Sequence, residues 1–279
     1  MRITVNAPAK INIFLDILRK LDNGYHSLFM VMQTVGLCDN VTLKKAESGI
    51  LLTCSDPDIP VNEKNTAYKA AEAFFEYTGI ESGIEIDIEK NIPHEAGLAG
   101  GSADAAAVLR GMNELFDTKL TAGELCSLGL KVGSDVPFCT VGGTCIVQNT
   151  GGIISQLKPL KKCFVLLVKP DRGVSTAKAY ADADEVYLYH PDSVRMMDCC
   201  EKGDFEGICK YAGNVFEQVV EVPERVEIKR VMRLHNASLA QMSGSGPTVF
   251  GLFDNKADAE SAAEELGEKY GKVFITETV

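Results

Sequence analysis

Apolar and polar residues alternate at the start of the chain: Ile3 and Val5, then Ile11, Ile13, Leu15 and Ile17. A period of two puts such residues on one face of extended backbone, so the first twenty positions read as strands. Asp22-Asn23-Gly24 is a turn signal, and a long β-leaning run covers residues 25–35. Further short strands are expected at 41–43 and 50–53. The first helix is expected over 66–77, opened by Asn65 as N-cap and closed by Gly79. Ile84, Ile86 and Ile88 alternate with Glu85, Asp87 and Glu89, the pattern of a half-buried strand. A glycine-rich loop and a helix from 103 to about 116 follow, then a helix over 122–130.

The second half has its own rhythm. Residues 164–168 form a buried-type strand, and 175–183 and several segments between 191 and 236 carry helical patterns. Strands at 239–242 and 248–253 flank a second glycine-rich turn. A helix over 256–270 and a strand over 273–276 close the chain. Antiparallel strands with segregated helices predict an α+β fold rather than a doubly wound sheet. Glycine, proline and lysine accumulate over 151–162, which suggests two domains, 1–155 and 156–279.

Composition narrows the function. Of 279 residues 46% are hydrophobic, enough for a sizeable core, and the net charge is −11. No basic cluster offers the surface a nucleic acid needs, so no nucleic-acid partner is expected. The first residues are too few and too polar for a signal peptide, and no apolar run approaches the roughly 18–20 residues that span a bilayer. Nine cysteines, an odd number without a two-residue gap between any pair, read as reduced thiols in a cytoplasm. No structural metal is expected. An acidic protein binds phosphates through local devices: backbone amides, a helix N-terminus and placed lysines.

Such a device stands at Gly97-Leu98-Ala99-Gly100-Gly101-Ser102. It follows a strand and opens a helix. Its glycines permit positive φ and let several amides converge on an anion, while the helix adds its positive end. Ser102 is placed to bond a phosphate or a Mg²⁺; alternatively, Ser102 or Asp104 caps the helix. The loop lacks the Lys-Ser/Thr ending of a P-loop, and its spacing is not the dinucleotide fingerprint.

Residues 93–107 resemble the ATP-binding signature of the GHMP superfamily of galactokinase, homoserine, mevalonate and phosphomevalonate kinases, in its Pro-x-x-x-Gly-Leu-x-Gly-Gly-Ser form. Pro8-Ala9-Lys10-Ile11-Asn12, Gly24-Tyr25-His26-Ser27-Leu28 and Gly133-Ser134-Asp135-Val136-Pro137-Phe138 resemble the branch whose acceptor is a cytidine diphosphate-linked methylerythritol. Residues 242–250 resemble the superfamily's C-terminal glycine motif. These segments keep family order from residue 8 to residue 250. The resemblance implies a two-domain GHMP kinase fold, with an N-terminal domain like domain 2 of ribosomal protein S5 and a ferredoxin-like C-terminal one. It implies ATP with Mg²⁺, a small-molecule acceptor in non-mevalonate isoprenoid synthesis, no membrane partner, and a monomer or weak homodimer. Sibling kinases of homoserine or mevalonate, and a silent nucleotide-binding regulator, are the alternatives.

Each candidate residue has a plainer reading beside the functional one. Lys10 is an outward strand lysine or, as the resemblance implies, the cation beside the acceptor hydroxyl. Asp135 is an N-cap ahead of Pro137 or the catalytic base. Tyr25 and His26 pack on a neighbour or hold the cytosine, His26 at its edge and Tyr25 on its face. Tyr180 is implied as the opposite stacking face, with Thr176 as a further contact. Asn12 lies two positions from Lys10, on the same strand face, and is placed to bond the acceptor. Asn65 caps its helix or contacts the nucleoside of ATP. Gly244 and Ser245 belong to a hairpin turn or to a substrate-closing loop. Pro93, Gly97, Leu98, Ala99, Gly100, Gly101, Ser102 and Ala103 are the implied nucleotide contacts. Ala99 and Ala103 stand where many relatives have glycine and serine, and Cys139 where a second aromatic is common. No carboxylate beyond Asp135 stands out as a Mg²⁺ ligand.

Overall fold

Two long strands open the chain in the computed structural model, which describes residues 2–279. β1 (Arg2–Lys20) and β2 (His26–Ala46) each run unbroken where the pattern predicts shorter separate strands. The reason is burial. Every residue from Ala9 to Ile17 is inside, including Lys10, Asn12 and Asp16, so alternation in the sequence does not become alternation of exposure. β3 (Ile50–Cys54), α1 (Thr66–Thr78) and β4 (Gly83–Glu89) come next. α2 (Gly100–Leu115), α3 (Ala122–Val132) and α4 (Val136–Val141) follow.

Packing divides the chain into two compact units that interleave: residues through Ala9 with 37–94 and 99–142, and residues 10–36 with 95–98 and 143–279. The division expected at 155/156 thus describes chain order, because β1 and β2 each contribute to both units.

In the first unit β4 pairs in parallel with β3 and antiparallel with the second half of β2, with Val41 opposite Ile88 and Leu43 opposite Ile86. α2 lies on this sheet through Gly111, where a Cβ would come 2.4 Å from Leu43 Cδ1 and 3.0 Å from Val5 Cγ2. Asn65 caps α1 by accepting from the Ala67 amide, and Gly79 ends it at φ +67°. Thr121 and Glu124 close a capping box on α3.

The second unit holds β5 (Thr144–Asn149), β6 (Ile153–Gln156) and β7 (Phe164–Lys169). Then come α5 (Thr176–Asp184), α6 (Ser193–Lys202), α7 (Phe205–Tyr211) and β8 (Gly213–Asn214). α8 (Glu224–Leu234), β9 (Leu239–Met242), β10 (Val249–Phe253), α9 (Lys256–Gly267) and β11 (Lys272–Glu277) complete it. The order β11-β7-β10-β9 is antiparallel throughout, and Leu166, Val168, Ile228, Met232, Phe253 and Leu266 form its core with α8 and α9. The first half of β2 pairs with β5, and β5 with β6. The glycines at 151–152, read from sequence as part of a boundary, are the turn of that hairpin, with the Gly151 amide donating to the Gln148 carbonyl. β1 pairs in parallel with the short β8, Phe14 opposite Gly213.

Candidate active site

The helix of the phosphate-binding candidate starts one turn earlier than the sequence predicts. α2 begins at Gly100, with Ala99 in the left-handed region at φ 58° as its N-cap and no side chain capping the first turn. Neither Ser102 nor Asp104 is therefore the cap. The first-turn amides of a sixteen-residue helix are left to a ligand or water, together with the positive end of its dipole. Gly100 is closely packed: a Cβ would sit 3.1 Å from Ile92 Cγ2 and 3.3 Å from Lys90 Nζ, so a larger residue requires those side chains to shift. Thr66 Oγ1 donates to the Gly101 carbonyl at 2.6 Å, joining the start of α1 to the start of α2. Ser102 is half-buried and faces the stretch before α4, its Oγ 3.9 Å from where a Cβ on Gly133 would stand. Ala103 is buried in the helix, and Pro93 is half-buried on the approach to the loop.

Asp135 occupies the N-cap position of α4, but its side chain makes no cap hydrogen bond. The capping hydrogen bond expected there is not made. Asn65 shows the reverse. Its Oδ1 accepts from the Ala67 amide at 2.8 Å, its Nδ2 donates to the Pro60 carbonyl at 2.7 Å, and it is buried. Both ends of that side chain are committed to structure.

Beneath Gly100 lies a group that sequence reading did not find. The Lys90 ammonium, its side chain 5% exposed, bonds Asp104 Oδ2 at 2.7 Å and also Asp39 Oδ2. Asp39 Oδ1 accepts the amides of Asn91 and Ile92, at 2.6 and 2.8 Å. The cluster thus grips the chain where it enters the loop and the helix where it leaves. Asp104 Oδ1 is buried without a partner. Burial pushes the Asp104 carboxyl up to about 7, against the opposing pull of Lys90. Burial acts to lower the Lys90 pKa, and Asp104 and Asp39 outweigh it and raise it. A lysine between Glu89 and Asn91 at a strand end reads as solvated, and only the tertiary pairing reveals otherwise.

In the second unit a lysine-centred constellation surrounds the loop's first glycine. Lys10 is 3% exposed, and its Nζ donates to Asn12 Oδ1 at 2.7 Å and to the Gly97 carbonyl at 2.8 Å. Its amide donates to the Leu98 carbonyl at 3.1 Å. It is not an outward strand lysine. Ser243 Oγ accepts from the Asn12 amide and donates to the Gly97 carbonyl at 2.9 Å. Gly97, at φ +73°, would carry a Cβ only 2.2 Å from the Ser243 carbonyl oxygen, so no other residue fits. Gly244, at φ +57°, would place a Cβ 3.2 Å from Lys10 Nζ. Asn214, absent from the sequence expectations, donates its two amide hydrogens to the Met242 and Gly244 carbonyls at 2.8 Å each and fixes this turn. Ser245 Oγ and Thr176 Oγ1 are 2.9 Å apart.

Around His26 the placement differs from the expected sandwich. Tyr180 stacks on the imidazole itself, centroids 4.6 Å apart and planes 15° off parallel, and Phe216 meets Tyr180 edge-on at 5.0 Å. Tyr25 is 61% exposed. His26 Nε2 lies 2.7 Å from Asp184 Oδ1, and Lys20 Nζ lies 2.5 Å from Asp184 Oδ2. Asp184 too was missed, since an acidic residue at a helix end carries no special signal.

Among the described residues no group of three or more His, Cys, Asp or Glu side chains is arranged to hold a metal, and no helix is long and apolar enough to cross a membrane.

The chain resembles known proteins along nearly its whole length. The GHMP kinases N terminal domain matches residues 65–143, and the GHMP kinases C terminal domain matches 196–272. The 4-diphosphocytidyl-2-C-methyl-D-erythritol kinase of Clostridium botulinum is 45% identical over 278 residues, 99% of each chain. The protein of the same name from Clostridium acetobutylicum is 44% identical over the same span. A crystal structure of 4-(cytidine 5'-diphospho)-2C-methyl-D-erythritol kinase superposes with a TM-score of 0.82 at 28% identity, covering 99% of both chains. Homoserine kinase from Cytophaga hutchinsonii, at 20% identity and a TM-score of 0.78, shares the fold.

Proposed function

The chain belongs to the 4-diphosphocytidyl-2-C-methyl-D-erythritol kinases of the GHMP kinase family, and from that premise we propose how its residues carry the reaction. It is an ATP-dependent kinase that phosphorylates an alcohol, the 2-hydroxyl of 4-diphosphocytidyl-2-C-methyl-D-erythritol, in non-mevalonate isoprenoid synthesis. The observation that carries the mechanism is Lys10, a buried ammonium anchored on the carbonyl of the loop's first glycine.

The amides of residues 97–102 and the positive end of α2 bind the phosphates of ATP, with Ala103 lining the helix start, its own amide held by the Ala99 carbonyl. Pro93 lines the approach to the nucleotide, and Asn65 serves it by fixing the start of α1 through its bonds to Ala67 and Pro60. Asp135 takes the proton of the acceptor hydroxyl, whose oxygen then attacks the γ-phosphorus in line, and the bond to the β–γ bridging oxygen breaks. Lys10 offsets the charge that develops on the acceptor oxygen and the moving phosphoryl group. Asn12 orients Lys10 and the acceptor. Mg²⁺ would neutralise phosphate charge, and the donor set fits it modestly: the Ser102 hydroxyl, with phosphates and water supplying the rest.

His26, Tyr25 and Tyr180 form the nucleobase subsite, and Thr176, Gly244 and Ser245 contact the remainder of the acceptor. We further place the enzyme in the cytoplasm, a location supported by its nine free cysteines, as a monomer or weak homodimer. A phosphotransfer assay comparing the cytidylylated methylerythritol with homoserine and mevalonate tests the reading. Only the first is expected to turn over, and Asp135→Asn is expected to lower kcat by about 10²–10⁴ with ATP affinity retained. Full activity of Asp135→Asn, or equal use of homoserine, refutes it.

A further inference from the structure

We infer that Asp184 is a positioning residue that sets the tautomer of His26, so that the nucleobase subsite takes cytosine and refuses uracil. This rests on the cytidine reading of the site and adds to it the residue that decides base identity.

The ring of His26 is held on several sides. It is 8% exposed, Tyr180 covers one face, and Nε2 lies 2.7 Å from Asp184 Oδ1. Tyr180 and Asp184 stand four positions apart on α5, so one helix face delivers both the stacking ring and the carboxylate. Lys20 holds the other carboxylate oxygen at 2.5 Å. Hydrogen bonds from Lys20 and then His26 keep the Asp184 carboxyl below the usual carboxylate range. An ionised carboxylate can only accept, so the proton between the two groups belongs to Nε2.

The consequence falls on the other nitrogen. Nδ1 has no hydrogen-bond partner among the described residues. In the neutral ring, with the proton fixed on Nε2, Nδ1 presents a lone pair. Cytosine offers an exocyclic amino group as donor at the position where uracil carries a carbonyl. A lone pair meeting that amino group forms a hydrogen bond. Meeting the carbonyl, it leaves two acceptors opposed and both unsatisfied, which is the asymmetric situation in which a buried site discriminates strongly. Without Asp184 the imidazole is free to carry its proton on Nδ1, and the preference loses its physical basis.

The test uses the full chain and the variants Asp184→Asn and Asp184→Ala. In the first, kcat and KM are measured with the cytidine substrate and with its uridine analogue. The wild type is expected to prefer cytidine, and each variant to lose about tenfold or more of that preference. The loss should appear as a rise in KM larger than any fall in kcat, because Asp184 touches no reacting atom. In the second, ¹⁵N-labelled histidine spectra of the free enzyme at about pH 8, above the ordinary imidazole range, read the tautomer directly. Protonated Nε2 and bare Nδ1 are expected in the wild type, with a mixture in the variants. Thermal melting checks that both variants are folded, a readout that a merely structural role would move in place of the tautomer. Normal cytidine preference in the wild type with an unchanged ratio in both variants overturns the inference alone, as does a wild-type ring protonated at Nδ1. Equal use of the two bases by the wild type overturns the cytidine reading and the inference together.

Discussion

Replacing Lys90 by methionine removes a cation from between two carboxylates that cannot reach water. The side chains of Lys90, Asp39 and Asp104 are 5%, 0% and 5% exposed. Methionine preserves most of the volume, so the cost is electrostatic rather than a cavity. Breaking a buried pair by removing one partner destabilises by about 3–5 kcal/mol, against about 0–1 for a surface pair. Asp39 retains the amides of Asn91 and Ile92, which pair one of its oxygens, whereas Asp104 loses the cation on Oδ2 and is left facing the Asp39 carboxylate. Most of the penalty therefore falls on Asp104. Equilibrium urea unfolding should show a loss within that range for Lys90→Met that grows as pH rises, because without Lys90 the Asp104 carboxyl takes up a proton more readily. Lys90→Met with Asp104→Asn should recover part of it. A loss below about 1 kcal/mol for Lys90→Met would refute the buried-triad account.

The same triad fixes the sign of a pH effect. Asp104 titrates at about 7 in the folded chain because burial penalises its charge, and near about 4 when unfolded. Between those values the folded state binds a proton that the unfolded state lacks. Stability from this group is thus fully present below about 4 and is lost as pH rises through about 7. Asp104→Asn abolishes the titration, so its stability should vary less than that of the wild type across this window. An identical slope in the two proteins would sink the assignment.

Gly97→Ala should reduce kcat/KM for ATP by about a hundredfold or abolish folding, since its Cβ would meet the Ser243 carbonyl at 2.2 Å. Gly79→Ala, also at positive φ but with open space around it, should cost only about 1 kcal/mol in urea unfolding. Asn65→Ala should cost about 1 kcal/mol in urea unfolding through the lost cap, and Asn65→Asp, which keeps the cap but sets an oxygen against the Pro60 carbonyl, should recover only part of that loss; unchanged stability of Asn65→Ala would refute the capping role. Asn214→Ala leaves the Met242 and Gly244 carbonyls without their donor and should cost about 1–3 kcal/mol, with a fall in kcat/KM that an equally destabilised core variant does not share.

Much of the fold is legible because burial on one face writes a period into the sequence. The helix over 66–77 and the strand of Ile84, Ile86 and Ile88 are recovered with their caps and turns nearly in place. The pattern fails where both faces are covered. In β1 the apolar residues alternate with Asn12, Phe14 and Asp16, and all are buried, so Lys10 and Asn12 looked equally suited to solvent. The start of α2 is displaced for a related reason. Ala99 takes a left-handed conformation that its own side chain disfavours, so nothing in the sequence signals that the helix begins at Gly100.

The site divides along a physical line. The glycine-rich stretches 97–102 and 243–246 are visible in sequence because a loop built on positive φ and close backbone approach needs its glycines side by side. Residues that hold those stretches in place need only be near them in space. Asp39 and Lys90 are 51 positions apart, Asn214 and Gly244 are 30, and His26 and Asp184 are 158. Each is an ordinary polar residue by its neighbours in sequence, and its partner is set by topology rather than by spacing. What the structure adds is therefore chiefly the supporting layer. The triad anchors both ends of the glycine loop's first-unit portion, Asn214 fixes the turn beside Lys10, and Asp184 holds Nε2 of His26. Substituting a supporting residue should then change how well the enzyme holds ATP or distinguishes one base from another before it changes the chemistry, whereas substituting Lys10 or Asp135 should do the reverse.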